Sequence, residues 1–298
     1  MSGRAITFDS PRQWREYYDL CKPRVVALIV FTAVVGMCMA SPGLVPWDAF
    51  LFGTIGIGLG AASGAAVNHV VDQRIDALMA RTRRRPIPTG RLDTVSALAF
   101  AILLCVASAA LLAALVNPLT AVLTVASMVG YSVVYTVFLK RVTPQNIVIG
   151  GAAGAMPPVL GWTAVTGTLD PHALLLFLII FAWTPPHFWA LAIHRRQEYA
   201  RAEIPMLPVT HGVEFTRLQI LLYTIILVLV TLLPYATRMS GLPYLVATLV
   251  LDAAFLYYSI RLYRDRDDPS LPMQTFRYSI WYLMGLFSAL MLDHYLAV

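Results

Sequence analysis

Charge is what this chain has least of. Lys, Arg, Asp and Glu together make up 13% of its 298 residues, against about 25% in soluble globular domains. With a mean hydropathy of +0.69, that deficit excludes an ordinary soluble enzyme. Cysteine is also scarce. Cys21, Cys38 and Cys105 form no spaced framework and read as free thiols, so no disulfide scaffold is expected. The opening MSGRAITFDSPRQWREYYDLCKPR has no apolar signal-peptide core, and its Asp9, Glu16 and Asp19 argue against a transit peptide. A bacterial inner membrane is therefore expected in preference to a mitochondrial one. No polar stretch is left over for a soluble domain.

What the chain does have is apolar runs of roughly 18–23 residues, the length a bilayer-crossing helix requires. They recur near 25–42, 50–71, 94–115, 118–138, 145–164, 171–193, 215–235, 242–263 and 276–295. The predicted fold is an all-α membrane protein, a single domain over 1–298 with nine transmembrane helices after an N-terminal segment 1–24. Basic residues set its orientation. Every Lys and Arg except Arg238 lies before the first run or in the loops joining helices 2–3, 4–5, 6–7 and 8–9. Positive charge stays on the cytoplasmic side, so the N-terminus is expected inside and the C-terminus outside. The pI near 9.3 follows from this bias, and no nucleic-acid partner is expected.

One stretch departs from lipid logic. Asn68-His-Val-Val-Asp72-Gln-Arg-Ile-Asp76 puts a carboxamide and two carboxylates at i, i+4 and i+8. In a helix these stack on one face with about 40° of drift per step. Arg81, Arg83, Arg84, Arg85 and Arg91 follow. Hard oxygen ligands beside cationic side chains suit Mg²⁺ and a diphosphate. If a prenyl diphosphate is the substrate, loss of pyrophosphate needs metal and cations such as Arg81, Arg84, Lys140 or Arg141. The allylic cation left behind needs a dry, aromatic-lined chamber. Tyr131, Tyr135, Trp162, Trp183, Phe188 and Trp189 fall in helices that would line it.

The motif N-x-x-x-D-x-x-x-D followed by R-T-R-R-R-P resembles the UbiA superfamily of intramembrane prenyltransferases. Five further segments are similar to its heme O synthase (protoheme IX farnesyltransferase) branch. They are Leu20-Cys-Lys22-Pro23-Arg24, Tyr135-Thr-Val-Phe-Leu-Lys140-Arg141, the run from Asn146-Ile-Val-Ile-Gly150-Gly151 to Pro158, Thr184-Pro-Pro-His187-Phe188-Trp189 and Ile204-Pro205-Met206-Leu207-Pro208. The resemblance spans about residues 20–290. It implies transfer of farnesyl from farnesyl diphosphate to a vinyl group of heme B, with addition of water, giving heme O for terminal oxidases. Heme B is then a substrate and Mg²⁺, or Mn²⁺ in its place, the cofactor.

By the same resemblance Asn68, Asp72, Asp76 and Glu198 hold the metal, and Asp72, Asp76 and Lys140 are the catalytic group. Arg81, Arg84, Lys140, Arg141, Tyr135, Asn146, His187 and Glu203 are candidate substrate contacts. One departure stands out. Much of the superfamily has D-x-x-x-D as its second motif, whereas here Ala202 lies four residues after Glu198. Glu203 is five residues on, about 140° around a helix from Glu198, and reads either as a substitute or as part of the loop. Several alternatives stay open. His187 is a heme-iron ligand or a hydrogen-bonded packing residue. Asp252, near mid-depth, faces a chamber or bonds across helices. A quinone-precursor prenyltransferase, a transporter using intramembrane acids and a non-catalytic heme chaperone are the competing functions. Membrane lipid is an expected partner, and docking of a heme A synthase is left open.

Overall fold

The computed structural model describes residues 11–296, and side chains from residue 14; Arg4 and Asp9 lie outside the described residues. Among these the structure is all helical, with no strand. A short amphipathic helix, α1 (Pro11–Leu20), precedes α2 (Pro23–Ala40), α3 (Trp47–Leu78), α4 (Thr94–Leu115) and α5 (Pro118–Val142). Then come α6 (Asn146–Thr166), α7 (Pro171–His194), the six-residue α8 (Arg196–Arg201), α9 (Gly212–Ala236), α10 (Leu242–Arg264) and α11 (Leu271–Leu296). Eight of these, α2 to α7 with α9 and α10, are long and apolar enough to cross a membrane. α11 has the length, at 26 residues, but interrupts its apolar sequence with Arg277, Asp293 and His294.

Local signals set many of the helix starts. Proline occupies the first turn of α2, α5, α7 and α10, where a missing N–H costs nothing. Asp93, Asn117 and Asp170 cap α4, α5 and α7 by accepting backbone N–H bonds from Ser96, Thr120 and His172 at 2.9, 2.8 and 2.7 Å. The outward surface is apolar: Ile102, Val106, Val122, Leu229, Val250 and Trp281 are all more than half exposed. In water such a belt would aggregate; in lipid it is ordinary.

Small residues let the helices close up. A Cβ on Gly161 of α6 would lie 1.8 Å from the Ala33 carbonyl oxygen of α2, and one on Gly36 would lie 2.2 Å from the Pro158 oxygen. The two backbones therefore touch, as is common where bilayer helices pack. Asp252 resolves as a joint between helices. It accepts from the Tyr282 hydroxyl at 2.5 Å and from Thr231 Oγ1 at 2.8 Å, tying α9, α10 and α11 together. At one end of the bundle, Asp293 of α11 accepts the Gly241 and Tyr244 amides that open α10, and His294 bonds the Ser41 carbonyl after α2. The opposite end gathers most of the basic residues.

Candidate active site

α3 is the element that matters most. The apolar run ends near residue 71, yet the helix continues to Leu78. Asn68, Asp72 and Asp76 are consequently carried inside the bundle, at 5%, 2% and 3% exposure, and not on a solvated helix end. Buried carboxylates require partners, and three elements deliver one cation to each motif residue. Lys140, at the end of α5, bonds Asp72 Oδ2 at 2.5 Å. Arg85, in the loop after α3, bonds Asp76 Oδ2 at 2.6 Å. Lys22, at the elbow between α1 and α2, donates to Asn68 Oδ1. Asn68 Nδ2 donates in turn to Asp72 Oδ2 at 2.8 Å. Burial first, then Arg85, push the Lys22 ammonium down to about 7 against the pull of Asp72 and Asp76.

The arginine loop is folded back and clamped. Thr82 Oγ1 bonds the Asp76 carbonyl at 3.0 Å, and Arg91 pairs with Glu16 of α1 at 2.7 Å. Tyr17 and Leu20 of α1 pack with Ile87, Leu92 and Ala97. This fold chooses among the arginines. Arg85 enters the cluster, whereas Arg84 is exposed and offers only its carbonyl, to Arg91. Arg81 stands in the field of Arg85, Asp76, Tyr199 and Arg195. Like Arg84, Arg81 is an exposed residue. Arg141 is exposed and reaches the Val71 carbonyl at 3.5 Å.

α5 contributes through an unusual winding. Gly130–Leu139 form ten residues of π-helix, a geometry rare in proteins and concentrated at functional sites. Thr136 Oγ1 bonds the Tyr131 carbonyl five residues back at 2.8 Å and lies 3.4 Å from Asn68 Nδ2. Tyr131 and Tyr135 stack with ring centroids 5.7 Å apart. Gly150 of α6 makes room for this: a Cβ there would lie 2.2 Å from the Tyr135 ring. Asn146 is fully buried, donates to the Thr143 carbonyl at 2.8 Å, and leaves its own Oδ1 without a partner.

The second acid sits on α8. Glu198 Oε1 pairs with Arg195 at 3.0 Å, while Oε2 is buried and unpartnered. Tyr199 packs in one cluster with Met79, Trp189, Ile204 and Met206, so α8 lies against the end of α3. Burial raises the Tyr199 phenol above its usual range. Glu203 is exposed and holds φ 54°. It is the left-handed residue that ends α8: the Ile204 amide closes on the Tyr199 carbonyl at 3.0 Å, and Pro205 follows. His187 is held as a packing residue. Its Nδ1 bonds Ser279 Oγ at 2.6 Å, and the ring stacks between Trp183 and Phe276 at 4.2 and 4.6 Å.

Donor chemistry at this end suits a hard divalent cation. Asp72 Oδ1 and Glu198 Oε2 are buried oxygens with no hydrogen-bond partner, and oxygen is the atom Mg²⁺ takes. Among the described residues no three His, Cys, Asp or Glu side chains cluster closely enough to hold a metal unaided. Sites that bind Mg²⁺ through one or two carboxylates are completed by substrate phosphates and water. Sequence reading missed three parts of the cluster: Lys22 and Arg85 as partners of Asn68 and Asp76, and the π-helix that brings Thr136 beside them.

Such a bundle, with an acid–cation cluster at one end of its lipid-facing helices, offers a buried polar site suited to an anionic ligand. The sequence profile of the UbiA prenyltransferase family matches residues 29–282, and the chain belongs to that family. It is 63% identical over 283 residues to the protoheme IX farnesyltransferase of Nitrosococcus oceani, covering 95% of this chain and 94% of that one. To the protoheme IX farnesyltransferase of Hahella chejuensis it is 62% identical, covering 96% and 95%. Among solved structures, a digeranylgeranylglyceryl phosphate synthase superposes with a TM-score of 0.79 at 17% identity, covering 95% of this chain and 99% of that one. A UbiA homologue from Archaeoglobus fulgidus bound to GPP and Mg²⁺ superposes at 0.60, also at 17% identity, covering 92% and 99%. These last two likenesses bear on the fold alone.

Proposed function

We propose that the chain transfers the farnesyl group of farnesyl diphosphate to a vinyl group of heme B, with addition of water, to give heme O. Near full-length identity to protoheme IX farnesyltransferases carries the choice of acceptor. The buried oxygens of Asn68, Asp72 and Asp76, each met by a cation, support the diphosphate. Asn68, Asp72, Asp76 and Glu198 are the groups that would hold Mg²⁺, with Mn²⁺ as a substitute. When bound, the metal supplies Lewis-acid stabilisation of the departing pyrophosphate.

The chain's own groups do the rest. Lys140, with Arg81 close by, neutralises charge that develops as the C1–O bond of the farnesyl ester breaks. Stacked Tyr131 and Tyr135 offer π faces to the allylic cation and keep water away. The terminal vinyl carbon of heme B then bonds to farnesyl C1. Water adds at the carbon next to the porphyrin and releases a proton. Pyrophosphate is the leaving group and is released.

The reading extends to placement. Nine spans, α2 to α7 and α9 to α11, put the basic end in the cytoplasm and the C-terminus outside, in a bacterial inner membrane. Both substrates are amphiphilic, so they arrive laterally from lipid. Incubating membranes holding the protein with heme B, farnesyl diphosphate and Mg²⁺, followed by chromatography of extracted hemes, tests the proposal. Heme O is the expected product. A prenylated aromatic acid formed in its place, from a supplied quinone precursor, would overturn the choice of acceptor.

A further inference from the structure

Two carboxylates and three cations make up the first cluster, and the surplus positive charge can be located. Lys140 and Arg85 are bonded to Asp72 and Asp76. Lys22 donates to the side-chain carbonyl of Asn68, which is neutral, and makes no ion pair to a described residue. An ammonium has three N–H donors, and this one spends a single donor on an amide. Asp72 and Asp76 attract it but are bonded to other cations, and a charge taken partly out of water without a bonded counterion is costly. An ordinary topology lysine would extend its ammonium to water; Lys22 turns inward.

Its backbone supports the same reading. Lys22 holds φ 48° and ψ 60°, a left-handed conformation that is unfavourable for a residue with a Cβ. Glycine would be the undemanding choice here, and Pro23 next in sequence disfavours the right-handed alternative. Lys22 also opens α2: its carbonyl accepts the Val25 and Val26 amides at 2.9 and 3.1 Å, but its side chain caps nothing. The strained elbow thus aims a cation at the motif and uses it for no local purpose. A divalent metal on a diphosphate ester carries net negative charge, which the surplus on Lys22 matches.

We propose that Lys22 is a diphosphate-binding residue whose ammonium alternates between Asn68 Oδ1 and a diphosphate oxygen, releasing the Asn68 oxygen to the metal as it moves. This inference rests on the diphosphate reading above. It adds the α1–α2 elbow to a diphosphate site otherwise built on α3, the arginine loop, α5 and α8.

The test is binding of inorganic pyrophosphate and Mn²⁺ to the purified full chain in detergent, by calorimetry and by electron paramagnetic resonance. For Lys22→Met, pyrophosphate binding in the presence of Mn²⁺ is expected to weaken by about tenfold or more, the loss of one charge-assisted bond. Mn²⁺ binding alone should stay within about threefold of wild type, and KM for farnesyl diphosphate should rise more than kcat falls. Lys22→Arg, which keeps the charge, should recover most of the pyrophosphate affinity and guards against misfolding of the Met variant. Unchanged pyrophosphate affinity in Lys22→Met would overturn the proposal, as would equal losses in the Met and Arg variants. If wild-type protein bound no pyrophosphate with Mn²⁺, the diphosphate reading itself would fail, which is a separate result.

Discussion

On α3 every motif side chain is met by a cation from a different part of the chain, whereas on α8 Glu198 is met only by Arg195, its neighbour three residues back. The acids of the first cluster are buried, and the cluster is bridged across the α1–α2 elbow, α3, α5 and the arginine loop. The second is half-buried and local. An ion pair at i, i+3 on a partly exposed surface contributes a few tenths of a kcal/mol. Pairs inside the bundle are held by the fold, and removing one partner leaves an uncompensated charge. The two clusters therefore differ in rigidity. The first is preorganised; the second has one carboxylate oxygen unassigned.

Breaking the rigid cluster should have the largest effect. Asp72→Asn or Asp76→Asn is expected to lower turnover by about a thousandfold or more, roughly 4 kcal/mol of barrier, while the protein still inserts and accumulates. Rate assays beside a membrane immunoblot check both halves. Near-normal rates in either variant would remove that carboxylate from the chemistry.

Glu198→Gln comes next. Losing a direct or water-mediated metal contact from the looser cluster is expected to cost about 3 kcal/mol, roughly a hundredfold in rate at saturating Mg²⁺. A loss as large as that of the Asp72 variant would mean the two clusters act as one unit, and the contrast between them would dissolve.

Gly150→Ala probes the aromatic wall between them. Its Cβ would lie 2.2 Å from the Tyr135 ring, so overpacking should cost about 1–3 kcal/mol of stability or displace the ring. Thermal unfolding in detergent and the rate with short and long prenyl diphosphates would read this. An unchanged melting point with unchanged rates would show that the ring has room to move.

Glu203→Gln should have the smallest effect, within about tenfold of wild-type rate, because Glu203 is an exposed turn residue. A loss exceeding that of Glu198→Gln would place Glu203, not Glu198, in the second cluster.

The contrast also explains what was legible in the sequence. Asn68, Asp72 and Asp76 share one helix, and a fixed spacing is visible before folding. Their cations are not. Lys22 and Arg85 come from an elbow and a loop whose approach depends on α1 clamping the arginine turn through Glu16 and Arg91. Among five nearby arginines, nothing in the letters prefers Arg85 to Arg84. The π-winding of Gly130–Leu139 is marked only by the glycine at its start, which an ordinary α-helix also tolerates. α3 stays helical to Leu78, past the end of its apolar run near residue 71, as the stacking of Asn68, Asp72 and Asp76 on one face requires, and its paired acids stay buried. The order of the helices and the basic end were readable, since they follow from run length and charge bias; Asp252 was legible only as a choice between facing a chamber and bonding across helices, because a lone carboxylate in lipid is costly.

One measurement bears most directly on the metal–diphosphate cluster. Purified wild-type protein and its Asp72→Asn and Asp76→Asn variants would be given heme B and farnesyl diphosphate, with saturating Mg²⁺ or with excess EDTA, and the heme O formed would be quantified by chromatography. Heme O is expected from the wild type with Mg²⁺ alone, and from neither variant under either condition. Equal heme O from the wild type in EDTA, or from a variant in Mg²⁺, would contradict the assignment of the α3 carboxylates to metal and diphosphate.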